Sequence, residues 1–297
     1  MIHLDSGRNR LIGIGITSIA VLCFALLDGT AKYLIRSLPI FEVVWLRFLT
    51  QVLISLAVVG PLYGRRLLRT QKPRLQVLRG LMLGTMTGLN FVALWYLQLA
   101  ETAAIMFLAP ILVAGLGWWL LNEAMDRGRL LAIVIGFIGV LIILQPGARG
   151  FHPAMLLSLI NAILVAFFGL LSRHMARTEN PASTQVYSGL IAVLMFTPFA
   201  FTQWQWPESA QQWLLLVALG SFAGLGHYCL AASFQYAGAS TLAPFQYQQI
   251  LYMMAYGYLV FGDVPSAAVV LGSLVVIGSG LYLLLRERQV SPASARP

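Results

Sequence analysis

Asp28 and Lys32 stand four residues apart inside an apolar run that extends from Leu11 to about Ile35. That spacing puts them on one face of a helix. Two readings of the pair are open: an ion pair satisfied within the segment, or a carboxylate that exchanges a proton or binds a substrate ammonium. Glu42 and Arg47 lie five apart in the next apolar run and do not align well on one face. Arg47 is therefore expected to meet a carboxylate on another segment, with Asp28 the obvious partner, forming a gate or a structural network. An ionisable side chain at membrane depth is costly, which makes Asp28, Lys32 and Arg47 candidates for gating or proton coupling.

Further polar side chains interrupt the middle of the apolar runs: Gln51, Asn90, Asn161, His227, Gln246 and Gln249. Met82, Met86 and Asn90 recur at i, i+4 and i+8, and Phe245, Gln249 and Tyr252 or Met253 do so later in the chain. A stripe of thioethers and amides suits a cavity for a partly apolar solute, because Met repacks and the amide both donates and accepts. The same groups also serve as interhelical hydrogen bonds that hold a bundle together. His227 could titrate near neutral pH or stay neutral as a packing residue. The candidate substrate-binding set is Met82, Met86, Asn90, Asn161, His227, Phe245, Gln246, Gln249, Tyr252 and Met253. No cofactor and no metal is expected. Cys23 and Cys229 fall inside apolar segments, where they read as small packing residues.

The elements that must position these groups follow from composition. Of 297 residues, 59% are hydrophobic and only 10% charged, against about 25% charged in a soluble domain. The apolar runs recur from Leu11 to Leu285 with no polar stretch long enough for a separate domain, so the whole chain reads as a membrane domain. The first run is too long for a signal peptide and ends in no A-x-A site. At roughly 20 residues per span, Pro, Gly and polar punctuation divide the chain into ten helices. They are expected near 11–35, 40–62, 75–97, 102–121, 129–146, 153–173, 183–203, 212–235, 241–261 and 264–285.

The net charge of +9 comes from residues in the connections, which excludes a nucleic-acid surface and reads as a topology signal. With the N-terminus in the cytoplasm, fifteen of the nineteen Lys and Arg fall on the inner side, among them Arg65, Arg66, Arg69, Lys72, Arg74 and Arg79. Lys32, Arg36, Arg47 and Arg149 remain at or near the outer side. The chain is thus expected in a bacterial inner membrane with both termini in the cytoplasm. Trp204, Trp206 and Trp213 suit the outer interface.

The chain also repeats itself. Gln98-Leu-Ala-Glu-Thr-Ala parallels Gln235-Tyr-Ala-Gly-Ala-Ser, and Leu-Leu-Asn-Glu123 parallels Val-Phe-Gly-Asp263, each followed by a Gly-rich segment (Gly136, Gly139; Gly272, Gly278, Gly280). The offset grows from 137 to 140, implying an insertion of about one turn. Gly80, Gly84 and Gly88 likewise correspond to Gly220, Gly224 and Gly226. Five spans per half is odd, so the second copy, 149–297, is expected upside down relative to the first, 1–148. Such inverted repeats are a transporter architecture.

Pro110 followed by Glu123 and Gly139, with Lys32 and Arg47, resembles the EamA signature of the drug/metabolite transporter superfamily. The resemblance implies an all-α membrane protein of ten transmembrane helices in two inverted five-helix repeats, with the third, fourth, eighth and ninth spans around a central cavity. The chain is most similar to the YddG-type amino-acid exporters, which implies alternating-access export of neutral or aromatic amino acids; a metabolite or drug of another class is the alternative. Span nine lacks a counterpart of Pro110 and is expected to be less kinked. No Gly-x-Ser-x-Gly, His-Glu-x-x-His or Walker loop occurs, so an enzyme is not expected. The partners are a small-molecule substrate and the bilayer. A monomer suffices, and a dimer is compatible with the sequence.

Overall fold

The computed structural model describes residues 7–64, 67, 69–121, 127–146, 151–175 and 178–290. Glu123, Arg65, Arg66 and Arg149, used above, lie outside them. Among the described residues all regular structure is helical: α1 Gly7–Leu34, α2 Ile40–Tyr63, α3 Pro73–Tyr96, α4 Leu99–Met106, α5 Ala109–Leu121, α6 Arg127–Leu144, α7 Ala154–Met175, α8 Pro181–Ala200, α9 Ala210–Ser233, α10 Ala239–Gln246, α11 Gln248–Tyr256 continuing as a π-helical turn at Gly257–Phe261, and α12 Ala267–Val290. α1, α2, α3, α7, α8 and α9 each contain a stretch long and apolar enough to cross a membrane, and shorter apolar helices cover Leu99–Val113, Leu130–Leu144 and Ala267–Leu283. Large apolar side chains such as Leu194, Leu214 and Leu259 remain exposed on their outer faces, as lipid contact requires.

Local chemistry explains the ends. Pro73 and Pro181 open α3 and α8, where a missing N–H costs nothing. The Asn180 side chain accepts from the Ala182 N–H, and Ser209 with Gln212 forms a capping box on α9. α2 ends at Gly64 with φ of 51°, a left-handed turn that glycine adopts without strain.

Two of the expected single spans are broken. α4 stops two residues before α5 because Pro110 cannot bond back and crowds the carbonyl four residues earlier. The second break falls at Tyr247, three residues after Pro244. This corrects the expectation of a less kinked span nine, since that segment is interrupted as fully as its counterpart. It also corrects the register of the repeat. α4 and α10 are both eight residues long and start at Leu99 and Ala239, an offset of 140 (239 − 99), so Gln98 corresponds to Gly238 and not to Gln235. The rings of Phe107 and Tyr247, one at each break, meet at 4.8 Å between centroids.

The packing has the same exchange symmetry. α1 packs on α9 as α3 packs on α7; α2 packs on α9 as α8 packs on α3; α2 meets α8, and α6 meets α12. Glycines permit the closest of these approaches. At the α6–α12 crossing a Cβ on Gly139 would stand 3.0 Å from the Gly272 carbonyl oxygen, and one on Gly272 would stand 2.6 Å from the Gly139 oxygen. Backbone cannot yield as a side chain can. Gly272→Leu is expected to separate α6 from α12 and lower the thermal midpoint and monodisperse yield in detergent, whereas Gly278→Leu, with open space around it, is expected to leave both unchanged.

One end of the bundle carries residues 35–39, 97–98, 201–209 and 262–266; here Lys32 bonds Asp263, and Trp45, Phe201, Trp204, Trp206 and Trp213 form an aromatic cluster. The opposite end carries 69–72 and 178–180 and is closed around Glu179. Glu179 Oε1 accepts the backbone N–H groups of Gln71 and Lys72, both at 2.9 Å, and Oε2 accepts from Thr70 Oγ1 and Gln76 Nε2 at 2.9 and 3.2 Å. Burial pulls the Glu179 carboxyl upward, but hydrogen bonds from Thr70, Gln71, Lys72 and Gln76 outweigh it and hold the group below its ordinary 4.5. The lowered value means that this contribution to stability is fully present above about 4.5 and disappears as pH falls through the folded-state value. Acid titration of the thermal midpoint is expected to show a steeper loss below that pH for the wild type than for Glu179→Gln.

Candidate functional site

Asp28 on α1 accepts a hydrogen bond from Asn90 Nδ2 on α3 at 2.9 Å. Lys32, one turn further along α1, turns away from it. Its ammonium donates to Asp263 Oδ2 at 2.9 Å and to the Leu97 carbonyl at 3.0 Å, and lies 5.0 Å from the centre of the Phe261 ring. The expected pairing of Asp28 with Lys32 is thereby corrected: two carboxylates compete for Lys32, and the one beside the buried Leu97 carbonyl at the end of α3 offers two acceptors at once. Asp28 is left to other partners.

Arg47 on α2 is one of them, in electrostatic reach of Asp28. It is 4% exposed, yet its Nε and Nη1 have no hydrogen-bond partner, and the guanidinium lies over the Phe48 ring at 4.0 Å. The expected Arg47–Asp28 contact is therefore a proximity without a closed salt bridge. Four residues on, Gln51 is 1% exposed and both polar ends of its amide are unpartnered. The i, i+4 spacing puts both side chains on one face of α2. That face is admitted to the interior by α9: a Cβ on Gly220 would collide with Thr50 and stand 2.7 Å from the Gln51 backbone nitrogen, and Gly224 faces Gln51 Cγ at 3.9 Å.

His227 follows Gly226 on α9, edge-on to Phe24 with 5.1 Å between ring centres, and lies within electrostatic reach of Arg47 and Arg79. Four helices, α1, α2, α3 and α9, thus deliver Asp28, Arg47 with Gln51, Asn90 and His227 to one region. Buried polar groups in proteins are nearly always satisfied, so the bare donors of Arg47 and the bare amide of Gln51 are the candidates in this region for contact with a polar ligand.

The other candidates are more dispersed. Met82 and Met86 are half-buried on the α3 face that carries Asn90, and Asn161 on α7 is buried with Oδ1 unpartnered. Phe245, Gln246 and Gln249 are half-buried beside the Tyr247 break. The Tyr252 hydroxyl donates to Gln248, and Met253 is buried in the core. α11 nevertheless runs along α1, with the Tyr256 ring against Gly29, the neighbour of Asp28. Sequence reading noted Gln51 but did not place it in the binding set; its four-residue spacing from Arg47 was the available signal. Arg79 also acquires a role that sequence did not suggest, donating from α3 to Ser172 on α7 and Ser188 on α8.

A cavity of about 490 Å³ opens at the Lys32 end of the bundle. Its wall includes Arg36, Phe41, Trp95, Phe199, Gln203 and Gln205. Phe41 stacks on Phe196, whose ring packs on Gly84 and Gly88 of α3, just before Asn90.

A sequence profile described as the EamA-like transporter family matches residues 11–145 and matches again at 152–286. The chain belongs to the EamA-like transporter family. It is a multi-pass membrane protein that transports small metabolites and not an enzyme. An S-adenosylmethionine uptake transporter of Rickettsia conorii is 28% identical over 286 residues, covering 96% of both chains. A riboflavin transporter of Vibrio cholerae is 29% identical over 285 residues and covers 92% of both. A pseudopaline exporter of Pseudomonas aeruginosa is 23% identical over 266 residues, covering 89% of this chain and 93% of its own. A solved crystal structure shares the fold with a TM-score of 0.66 at 19% identity, over 97% of this chain and all of its own.

Proposed function

We propose that this member of the family carries a zwitterionic metabolite, one with an amino-acid end and an apolar or aromatic body, by alternating access. The observation that carries the reading is the half-buried Asp28 carboxylate and the buried Arg47 guanidinium, close enough to interact but not joined, beside an unpartnered Gln51 amide. A carboxylate and a guanidinium held apart accept an ammonium on one side and a carboxylate on the other. A solute end with only an ammonium or only a carboxylate would leave one of the two unanswered, and an unpaired buried charge is expensive. Two solute classes meet the requirement: neutral aromatic amino acids, and amino-acid-bearing compounds such as S-adenosylmethionine, the cargo for which one relative is named.

The proposed frame is ten spans in two inverted halves divided near residue 148, with both termini in the cytoplasm of a bacterium. The exchange symmetry of the packing and the paired helix breaks at Phe107 and Tyr247 support it, because discontinuous helices in corresponding positions of two halves are where transporters place their substrate. Direction follows the imposed gradient, since relatives named for uptake and for export are both similar to this chain.

The test is flux of labelled phenylalanine, S-adenosylmethionine and riboflavin across proteoliposomes, with the solute loaded inside or outside and with or without a pH gradient. Saturable flux of either amino-acid-bearing solute, without saturable riboflavin flux, is expected. Riboflavin transport with neither of the others moving would overturn the reading.

A further inference from the structure

Two buried carboxylates at opposite ends of the bundle are used unequally. Glu179, immediately before the N-cap of α8, spends both oxygens on four donors of the segment that enters α3. Glu42, in the first turn of α2, makes one bond: its Oε2 accepts the Gln205 backbone N–H at 2.9 Å, in the segment that enters α9. Its Oε1 is buried without a partner, in a residue that is 0% exposed. One residue from Gln205, the Trp204 indole Nε1 is a buried donor that also lacks a partner.

The placements are related even though the registers differ. Each carboxylate stands at the entrance of the second helix of its half and holds backbone of the segment that enters the third helix of the other half. We propose that Glu42 and Glu179 are exchanging latches, one for each end of the bundle, and that the structure captures the Glu179 latch closed and the Glu42 latch half-open. An unused acceptor and an unused donor sit at the half-open latch, and the 490 Å³ cavity, walled partly by Phe41, Gln203 and Gln205, lies directly beside it. At the closed latch Arg79 adds bonds to Ser172 and Ser188.

Closing the Glu42 end, with Oε1 taking a donor such as the Trp204 indole, would satisfy two groups now left bare. Opening the Glu179 end would surrender four bonds to solvent, which replaces them. Buried groups gain from pairing while exposed groups lose little from parting, so the two arrangements can stand close in free energy. The latches rest on the alternating-access part of the function proposed above, but not on the identity of the solute.

The experiment is amide hydrogen exchange on the full chain in lipid nanodiscs with no solute added, following peptides that cover 69–76 and 203–212. Glu179→Ala is expected to speed exchange at 69–76, as any local loosening would, and also to slow exchange at 203–212 at least threefold as the opposite latch closes. Glu42→Ala is expected to slow exchange at 69–76 by a similar factor. The remote changes are what a local structural role would not produce. Remote exchange within error of wild type in both variants would overturn the proposal. If Glu179→Ala does not fold, Gln76→Leu, which removes one of the four donors, takes its place with the same expected signs. Reciprocal exchange without flux of any amino-acid-bearing solute would uphold the latches and overturn the solute reading alone.

Discussion

Arg47→Met is expected to reduce the initial rate of zwitterion transport about 100-fold at concentrations below saturation, while the protein still reaches the membrane folded. Truncating one partner of a buried, charge-assisted contact costs roughly 2–5 kcal/mol, and each 1.4 kcal/mol is about tenfold in affinity. Because the Nε and Nη1 donors of Arg47 have no hydrogen bond within the protein to lose, most of the cost should fall on the ligand and not on the fold. Arg47→Lys keeps the charge but removes the planar fork, and is expected to recover about a tenth of the wild-type rate. The decisive comparison is an amine that lacks the carboxylate of its parent amino acid. For that solute Arg47→Met should make little difference, since the group that Arg47 would bind is missing. An equal loss for amine and amino acid would show that Arg47 supports the bundle and does not hold a carboxylate.

The helical membrane fold was legible because it rests on short-range rules. Apolar run length, Pro and Gly punctuation and the spacing of Asp28 and Lys32 depend only on neighbours along the chain. The helix break at Tyr247 was not legible, because Pro244 precedes it by three residues and the ring that meets Tyr247 is Phe107, in the other half. Partner choice was hidden for the same reason. Lys32 and Asp28 do share a helix face, but the preferred acceptors of Lys32 are 65 and 231 residues away in sequence. The site itself was half visible. Residue types marked Asp28, Arg47, Asn90 and His227, whereas the significance of Gln51 lies in what fails to reach it, and an unpartnered group can be recognised only once its surroundings are placed.

Lys32→Met is the second large effect, and it is one of stability. The ammonium joins three elements: it originates on α1, bonds the carbonyl of Leu97 where α3 ends, and pairs with Asp263 beyond the π-helical turn that follows α11. Leu97 lies at the C-terminal end of α3, where the partial negative charge of the helix adds to the attraction. Removing Lys32 strands a largely buried carboxylate and an unpaired carbonyl, for which breaking a buried pair costs about 3–5 kcal/mol. The thermal midpoint in detergent is expected to drop by several degrees or more. Adding Asp263→Asn to Lys32→Met should restore much of that loss, since the stranded charge is gone, while Asp263→Asn alone should be milder because Lys32 keeps Leu97. A double substitution no more stable than Lys32→Met would mean that the Leu97 carbonyl, and not the ion pair, is the contact that matters. Either result separates Lys32 from the transported solute, since the pair is fully engaged within the protein, whereas donors of Arg47 and Gln51 stand unpartnered.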